Sequence, residues 1–237
     1  PVPGLGSRLT FFASGRLVRN DGYLYGRRVV QPIYAPTNDR VPVEVDGRTV
    51  FVPALGDSTL APLNWGEQAT AQLKLTGQVL GGRLTLNGLL QRDQGQNYDH
   101  LFRYNPDGQT TVHGTSTSLI GTYTVLFSGS TFLDVKAATF ANAVDEYVYE
   151  DPLDPRYPQD AALRELSPNF SFYLGGTRMT QFARETRTTV GRMDLTSQLT
   201  RRHLVKGGVE VKRHDLALDQ FDVLNNAGTA FAPAIPP

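Results

Sequence analysis

The feature that most constrains the fold is a two-residue alternation of apolar and polar side chains, which is clearest in residues 67–79. Gln, Thr and Lys fill one set of alternate positions, and small or medium apolar residues fill the other. Neighbouring side chains of a β-strand point to opposite faces, so the alternation predicts a strand with two different faces. The apolar set consists of Ala69, Ala71, Leu73, Leu75, Gly77 and Val79.

The same alternation recurs along the chain and predicts about seven strands. In three pairs of these strands, the two strands are only two to four residues apart in the sequence. Each of these pairs is therefore predicted to form an antiparallel hairpin. Glycine at 81 and 129 supplies the backbone freedom that such tight turns need. The predicted strands are residues 7–18, 67–79, 83–93, 118–127, 131–143, 186–199 and 204–215.

The connections between the hairpins are long and lack this periodicity. They span residues 19–66, 94–117 and 144–185 and are rich in Pro, Asp, Asn and Gly. In an up-and-down sheet alternate connections share one end, so all the short turns should lie at the opposite end from the long segments. Short periplasmic turns and long extracellular loops are typical of outer-membrane barrels. The sequence therefore predicts an all-β, antiparallel up-and-down transmembrane β-barrel.

The polar face of the predicted strands suits a barrel lumen, and the modest apolar face suits lipid. Nine of the ten tyrosines lie in the long connections or at their borders, where some could form an aromatic girdle at the outer interface. Half-buried sheets of water-soluble proteins alternate in the same way, so a soluble β-sandwich remains an alternative. The charged residues expected in the lumen are Lys74, Arg83, Asp134, Lys136, Arg192, Asp194, Lys206, Glu210 and Lys212.

Several classes of function find no support in the composition. The 23 basic residues balance 23 acidic ones, so no net positive field would attract nucleic acid. Cysteine is absent, and neither a serine-hydrolase elbow nor a phosphate-binding loop occurs. The four histidines lack the spacing of a zinc site. We therefore expect no enzyme activity, no catalytic residues and no metal centre.

Several short strings resemble TonB-dependent outer-membrane receptors of Gram-negative bacteria, of the type with a carboxypeptidase-like regulatory domain ahead of the plug. The likeness is one of short phrases and covers most of residues 9–215. The strings are FFASGR at 11–16, NDGYLYGRR at 20–28, NYDH at 97–100, YNPDG at 104–108, YEDPLDPRY at 149–157, DLTSQL at 194–199 and HLVKGGVE at 203–210.

The resemblance implies a receptor and transporter in the bacterial outer membrane, with a barrel of 22 strands and an N-terminal plug. Seven strands cannot close a bacterial barrel, because such barrels have even strand numbers from eight upward. Residues 1–237 are therefore expected to be one segment of a barrel domain, without the plug or the segment that contacts TonB. The expected partners are outer-membrane lipid, the remaining strands and plug of the same receptor, and TonB indirectly.

The third long connection supplies the candidates for ligand binding. The residues are Tyr147, Tyr149, Asp151, Asp154 and Arg156. We expect no cofactor, although five carboxylates within residues 145–154 could hold a calcium ion that fixes a loop. The other interpretation is a solvated acidic loop that is partly paired with arginines. A different class of function also stays open, namely a soluble or surface-attached β-sheet module for binding, adhesion or structure.

Overall fold

The computed structural model of the chain describes residues 9–32, 41–45, 47–52, 55–157 and 172–223. These residues form eleven strands and two short 3-10 helices, His100–Phe102 and Pro106–Gly108. The strands are β1 (Leu9–Asn20), β2 (Tyr25–Arg27), β3 (Val41–Val45), β4 (Arg48–Val52), β5 (Leu60–Pro62), β6 (Gly66–Val79), β7 (Gly82–Gly95), β8 (Thr111–Ser128), β9 (Thr131–Tyr147), β10 (Thr180–Thr200) and β11 (His203–Asp222).

The seven long strands form one antiparallel sheet in the order β1-β6-β7-β8-β9-β10-β11. The prediction of an all-β, up-and-down arrangement is therefore confirmed, and each of the seven predicted strands has its counterpart. The three short turns lie together at one end, and the three long connections lie at the other. The sheet is open: within the described residues β1 pairs only with β6, and β11 only with β10.

The strand register sorts the side chains onto two faces, as the alternation predicts. Leu73 is paired with Ala13 on one side and Gly88 on the other, in a row that continues to Leu119. We call this the apolar face and the opposite one the polar face. All nine charged residues that the sequence assigned to the lumen share the polar face, beginning with Lys74 and ending with Lys212 on β11.

The first short turn shows why the sequence folds tightly at this point. Leu80 and Gly81 both have positive φ angles, +49° and +77°, as a two-residue hairpin turn requires. Tyr123 supports the strained Leu80, because its hydroxyl donates to the Leu80 carbonyl oxygen at 3.0 Å. A glycine at 81 carries the second positive φ without steric cost.

Among the described residues, most of the buried apolar ones lie outside the seven-stranded sheet. We call the described residues of the three long connections the cap. One buried cluster joins Val30 and Val52 of the first connection to Tyr104 of the second and Leu174 of the third. A second cluster contains Tyr157 and Met179 with Val223, which follows β11.

The long connections contain regular structure that the sequence pattern did not predict. The first connection is not without regular structure, because β2 pairs with β5 and β3 with β4. The second contains both 3-10 helices. Two tyrosines that could have joined an aromatic girdle, Tyr104 and Tyr157, are instead buried in the cap. In the described residues, no helix is long and apolar enough to cross a membrane.

Candidate functional site

A cleft of about 480 Å³ lies where the three connections meet the ends of the sheet strands. This volume is within the range of small-ligand sites. Each connection contributes to the lining, so the cleft depends on the folded cap and not on one loop. The lining includes Arg28, Trp65, Gln94, Gln96, Asp107, Gln109 and Tyr149.

An ion pair fixes the first connection to the second at the cleft. The Arg28 guanidinium donates to both carboxylate oxygens of Asp107, from Nε at 2.7 Å and from Nη2 at 2.9 Å. Its Nη1 donates to the Thr59 hydroxyl at 3.1 Å. The Asp107 hydrogen bond raises the pKa of Arg28, so this guanidinium stays charged. A bidentate ion pair of this kind holds both side chains in place.

A chain of amide hydrogen bonds forms another part of the cleft. The Trp65 indole donates to Gln96 Oε1 at 3.0 Å, and Gln96 Nε2 donates to the backbone carbonyl oxygen of Gln109 at 3.2 Å. Gln109 is only 4% exposed, and its Nε2 donates to the Asn97 carbonyl oxygen. Its Oε1 is buried, and no donor among the described residues reaches it. A buried acceptor without a donor is unfavourable and is uncommon in folded proteins.

The third connection contributes a hairpin that Tyr157 holds together. The buried Tyr157 hydroxyl donates to the Tyr149 carbonyl oxygen at 2.7 Å and accepts from the Tyr149 amide at 3.0 Å. Gln181 of β10 donates to the same hydroxyl at 3.0 Å. These bonds attach residues 149–157 to the sheet, and they position the Tyr149 ring at the cleft.

Asp154 and Arg156 form an ion pair within this hairpin. Arg156 Nη2 lies 2.6 Å from Asp154 Oδ2, and this hydrogen bond lowers the pKa of Asp154. The guanidinium carbon of Arg156 also lies 3.9 Å from the centre of the Tyr149 ring. Burial raises the pKa of the Tyr149 hydroxyl, which therefore stays protonated at neutral pH.

The structure brings together three of the five residues that the sequence singled out and leaves the other two apart. Tyr149 lines the cleft, and Arg156, which is paired with Asp154, lies against its ring. Tyr147 ends β9 and stacks on His113, with ring centres 4.5 Å apart. Asp151 accepts from the Leu153 amide at 2.8 Å and so stabilises its own turn. The assignment of these residues to ligand binding stays a prediction, and only Tyr149 has a place in the cleft lining.

The acidic run at 145–154 does not gather into a cation site in the part of the chain that the structure describes. No three carboxylate or imidazole groups converge there. Asp154 is instead occupied by Arg156, as the interpretation of an acidic loop paired with arginines anticipates. The possibility of loop-bound calcium gains no support from this arrangement.

Sequence patterns did not identify most residues of the cleft, because these residues lie far from one another along the chain. Arg28 and Asp107 are 79 residues apart, and no short motif connects them. One signal was present: Trp65 is the single tryptophan and stands directly before the clearest strand. No protein-family model, curated protein or solved structure matches the chain.

Proposed function

We propose that the seven-stranded sheet is part of the β-barrel of an outer-membrane TonB-dependent receptor that binds and imports a nutrient. The apolar face would contact lipid, and the polar face would line the lumen. The cap would capture the ligand outside the cell. Movement of a plug, driven through TonB, would then admit the ligand, and no covalent chemistry is required of these residues.

The observation that carries this proposal is the reversed burial of the two faces. On β10 the apolar-face residues Met193 and Leu195 are 47% and 46% exposed, whereas Thr196 on the polar face is 9% exposed. The half-buried Thr186 and Thr188 also belong to the polar face. Water-soluble sheets bury their apolar face. Here the apolar face is the more exposed one, as expected for a face that lipid covers.

The polar face is also equipped to be a lumen wall. Arg192 of β10 lies 3.7 Å from Glu210 of β11, and Lys212 lies 2.7 Å from the same carboxylate. Thr124 donates to Asp134 at 2.6 Å on the neighbouring strands. Glu210 is thus paired with a cation on its own strand and with one on the neighbouring strand. A polar interior accepts such groups, whereas hydrocarbon would not.

The apolar band crosses the sheet obliquely, as in a tilted barrel wall. On β1 it spans Leu9 to Leu17, and on β11 it spans Val205 to Val211. The row of paired residues that begins at Leu17 ends at Ala217, and the row that begins at Leu9 ends at Val209. On β11 the band therefore lies six residues from the first row and four from the second, which is a displacement of about five residues toward the short turns. With strands about 4.8 Å apart and a rise of about 3.3 Å per residue, this displacement corresponds to a tilt of about 30°. Strands of outer-membrane barrels tilt by about 35–45°.

The height of the band supports the same assignment. At about 3.3 Å per residue, the band is about 33 Å long on β6, from Ala69 to Val79, about 26 Å long on β1 and about 20 Å long on β11. A tilt of about 30° reduces these lengths to between about 17 and 29 Å across the membrane. The outward apolar band of outer-membrane barrels is about 25 Å tall. The polar ends of β8, β9 and β10 extend beyond the band toward the cap.

The two open edges of the sheet require further strands if the sheet lies in a membrane. An unpaired edge in hydrocarbon leaves backbone N–H and C=O groups without partners, at several kcal/mol each. All 20 residues of β11 are exposed, so this edge is available to another strand. The remaining strands and the plug of the receptor would complete the barrel. TonB and the plug come from the sequence resemblance, and the position of the short turns in the periplasm comes from the loop pattern typical of outer-membrane barrels.

One observation favours a different class of protein. The cap has buried clusters of its own, including Val30, Val52 and Leu174, and its cleft would serve equally in a soluble or surface-attached binding module. In that alternative the apolar face would be covered by other protein and not by lipid.

Detergent dependence distinguishes these two functions. We expect the 237-residue chain to remain folded and dispersed only with detergent, lipid or partner strands, because its apolar face is exposed. Circular dichroism and analytical ultracentrifugation with and without detergent would measure this dependence. A folded, monodisperse monomer in detergent-free buffer would contradict the barrel proposal and favour the soluble module.

A further inference from the structure

We infer that the turn between β10 and β11 binds the headgroup phosphates of anionic phospholipids at the membrane surface. This inference rests on the proposed barrel and adds to it. The barrel requires lipid of any kind against its apolar face, whereas this turn would select lipid by charge. Two properties of the turn lead to the inference: its cations are unpaired, and it lies at the edge of the apolar band.

The turn consists of two arginines without an anionic partner. Arg201 and Arg202 are exposed, and no carboxylate of the described residues forms a salt bridge with either guanidinium. No Asp or Glu occurs in residues 195–209. The carboxylates on either side of this range, Asp194 and Glu210, are paired with arginine and lysine on their own strands. The two guanidiniums therefore remain for an anion from outside the chain.

The turn lies where the headgroups of a bilayer would be. Leu199 precedes it and Val205 begins the apolar band after it, and these side chains are 65% and 50% exposed. Two residues separate Leu199 from Arg201 and three separate Arg202 from Val205, which is about 7–10 Å at about 3.3 Å per residue. The headgroup region on each side of the hydrocarbon is about 5–8 Å thick. Arginine side chains are long enough to reach phosphates from this level.

Charge complementarity identifies the occupant as anionic lipid. Of the three short turns, only this one carries charge, since residues 80–81 are Leu-Gly and residues 129–130 are Gly-Ser. A basic side chain near an anionic membrane surface strengthens binding about fivefold. Two such side chains should therefore enrich an anionic lipid next to the turn by about tenfold to thirtyfold over a zwitterionic one.

The hydrogen bonds of the turn do not involve the guanidiniums, so the arginines can be replaced. The Thr200 hydroxyl lies 2.7 Å from His203 Nδ1 and accepts from the Arg202 amide at 3.3 Å. Gln198 Nε2 donates to the Thr200 carbonyl oxygen at 2.7 Å. These bonds should survive substitution of both arginine side chains.

A fluorophore on the neighbouring turn measures the lipid composition next to the arginines. The Gln198 amide donates to the Ser130 carbonyl oxygen at 2.8 Å, so a label at Ser130→Cys is close to the turn. The chain has no other cysteine. The full 237-residue chain is inserted into phosphatidylcholine vesicles that contain a nitroxide-labelled quencher lipid, either phosphatidylglycerol or phosphatidylcholine. We expect half-maximal quenching at about tenfold to thirtyfold less labelled phosphatidylglycerol. Equal quenching by the two lipids would overturn the inference.

Paired variants test whether the preference arises at the turn. Arg201→Gln combined with Arg202→Gln should abolish it, whereas Arg201→Lys combined with Arg202→Lys should keep it. Arg16→Gln combined with Arg27→Gln removes the same net charge from exposed positions on the polar face and in the cap, and should also keep it. Circular dichroism in the vesicles verifies that each variant is folded. Equal loss in the two glutamine variants would overturn the assignment to the turn.

Inorganic phosphate distinguishes a lipid surface from a site for free phosphate, and this arm needs only the labelled chain without charge variants. An excess of phosphate at constant ionic strength should leave the preference for phosphatidylglycerol unchanged. Loss of the preference under these conditions would indicate a site for free phosphate and would overturn the inference.

Failure of this inference is distinguishable from failure of the barrel proposal. If the chain requires detergent or lipid but shows no preference for phosphatidylglycerol, the headgroup site is wrong and the barrel proposal stands. If the chain is a soluble monomer that does not enter vesicles, both are wrong.

Discussion

Replacing Leu73 by arginine is expected to lower the free energy of unfolding from lipid bilayers by about 2–4 kcal/mol. Leu73 lies near the middle of the apolar band on β6 and is 49% exposed. In the barrel proposal this exposed surface contacts hydrocarbon, where a guanidinium is poorly solvated. Urea unfolding from vesicles, followed by circular dichroism, measures the change.

The neighbouring substitution Gln72→Arg is the matched control. Gln72 lies on the polar face, where its Nε2 donates to Asn87 Oδ1 at 3.1 Å. Loss of this bond should cost about 1 kcal/mol, and a lumen-facing arginine can be hydrated or paired. Equal penalties at 72 and 73 would indicate a sheet buried on both faces. A larger penalty at 72 would mean that the faces are exchanged.

Phe102→Ala is expected to destabilise the cap by about 3–5 kcal/mol, because it removes a large side chain from a fully buried position. The Phe102 ring centre lies 4.8 Å from that of Tyr173, so the second and third connections lose a shared contact. Hydrogen exchange followed by mass spectrometry should show faster exchange in residues 96–109 and 172–179. The central strands β6 to β9 should exchange as in the unchanged protein.

An exposed phenylalanine of the same connections provides the comparison. Phe51 on β4 is 55% exposed, and Phe51→Ala should change cap exchange little. If Phe102→Ala had no greater effect than Phe51→Ala, the cap would not be held by the buried contacts described above. Faster exchange throughout β6 to β9 would instead mean that cap and sheet unfold together.

The seven sheet strands were predictable because each carries its own local signal. Alternation fixes both the strand and its faces, so Leu73 and Gln72 were separated correctly without knowledge of the partner strands. The predicted boundaries fall short where the alternation stops. β8 begins at Thr111 and not at residue 118, because its first residues are mostly polar on both faces.

The cap was not predictable, because its contacts join residues that are distant in sequence. Val30, Val52, Tyr104 and Leu174 form one cluster from three connections, and none belongs to a periodic run. The candidate site shows the same limit. Tyr149 was identified from a local concentration of aromatic and charged residues, whereas Gln109 acquires its buried acceptor only through tertiary folding. Local patterns therefore predicted the seven-stranded sheet but not the cleft.

The most direct measurement of the central claim is the accessibility of nitroxide labels along β6 in bilayers. The chain contains no cysteine, so single-cysteine variants at positions 70–76 need no other change. Oxygen concentrates in the hydrocarbon, whereas a charged nickel chelate stays in water. If the apolar face contacts lipid, oxygen accessibility should peak at 71, 73 and 75, and nickel accessibility at 70, 72, 74 and 76. Equal nickel access at both sets, or oxygen peaks at the even positions, would contradict the account.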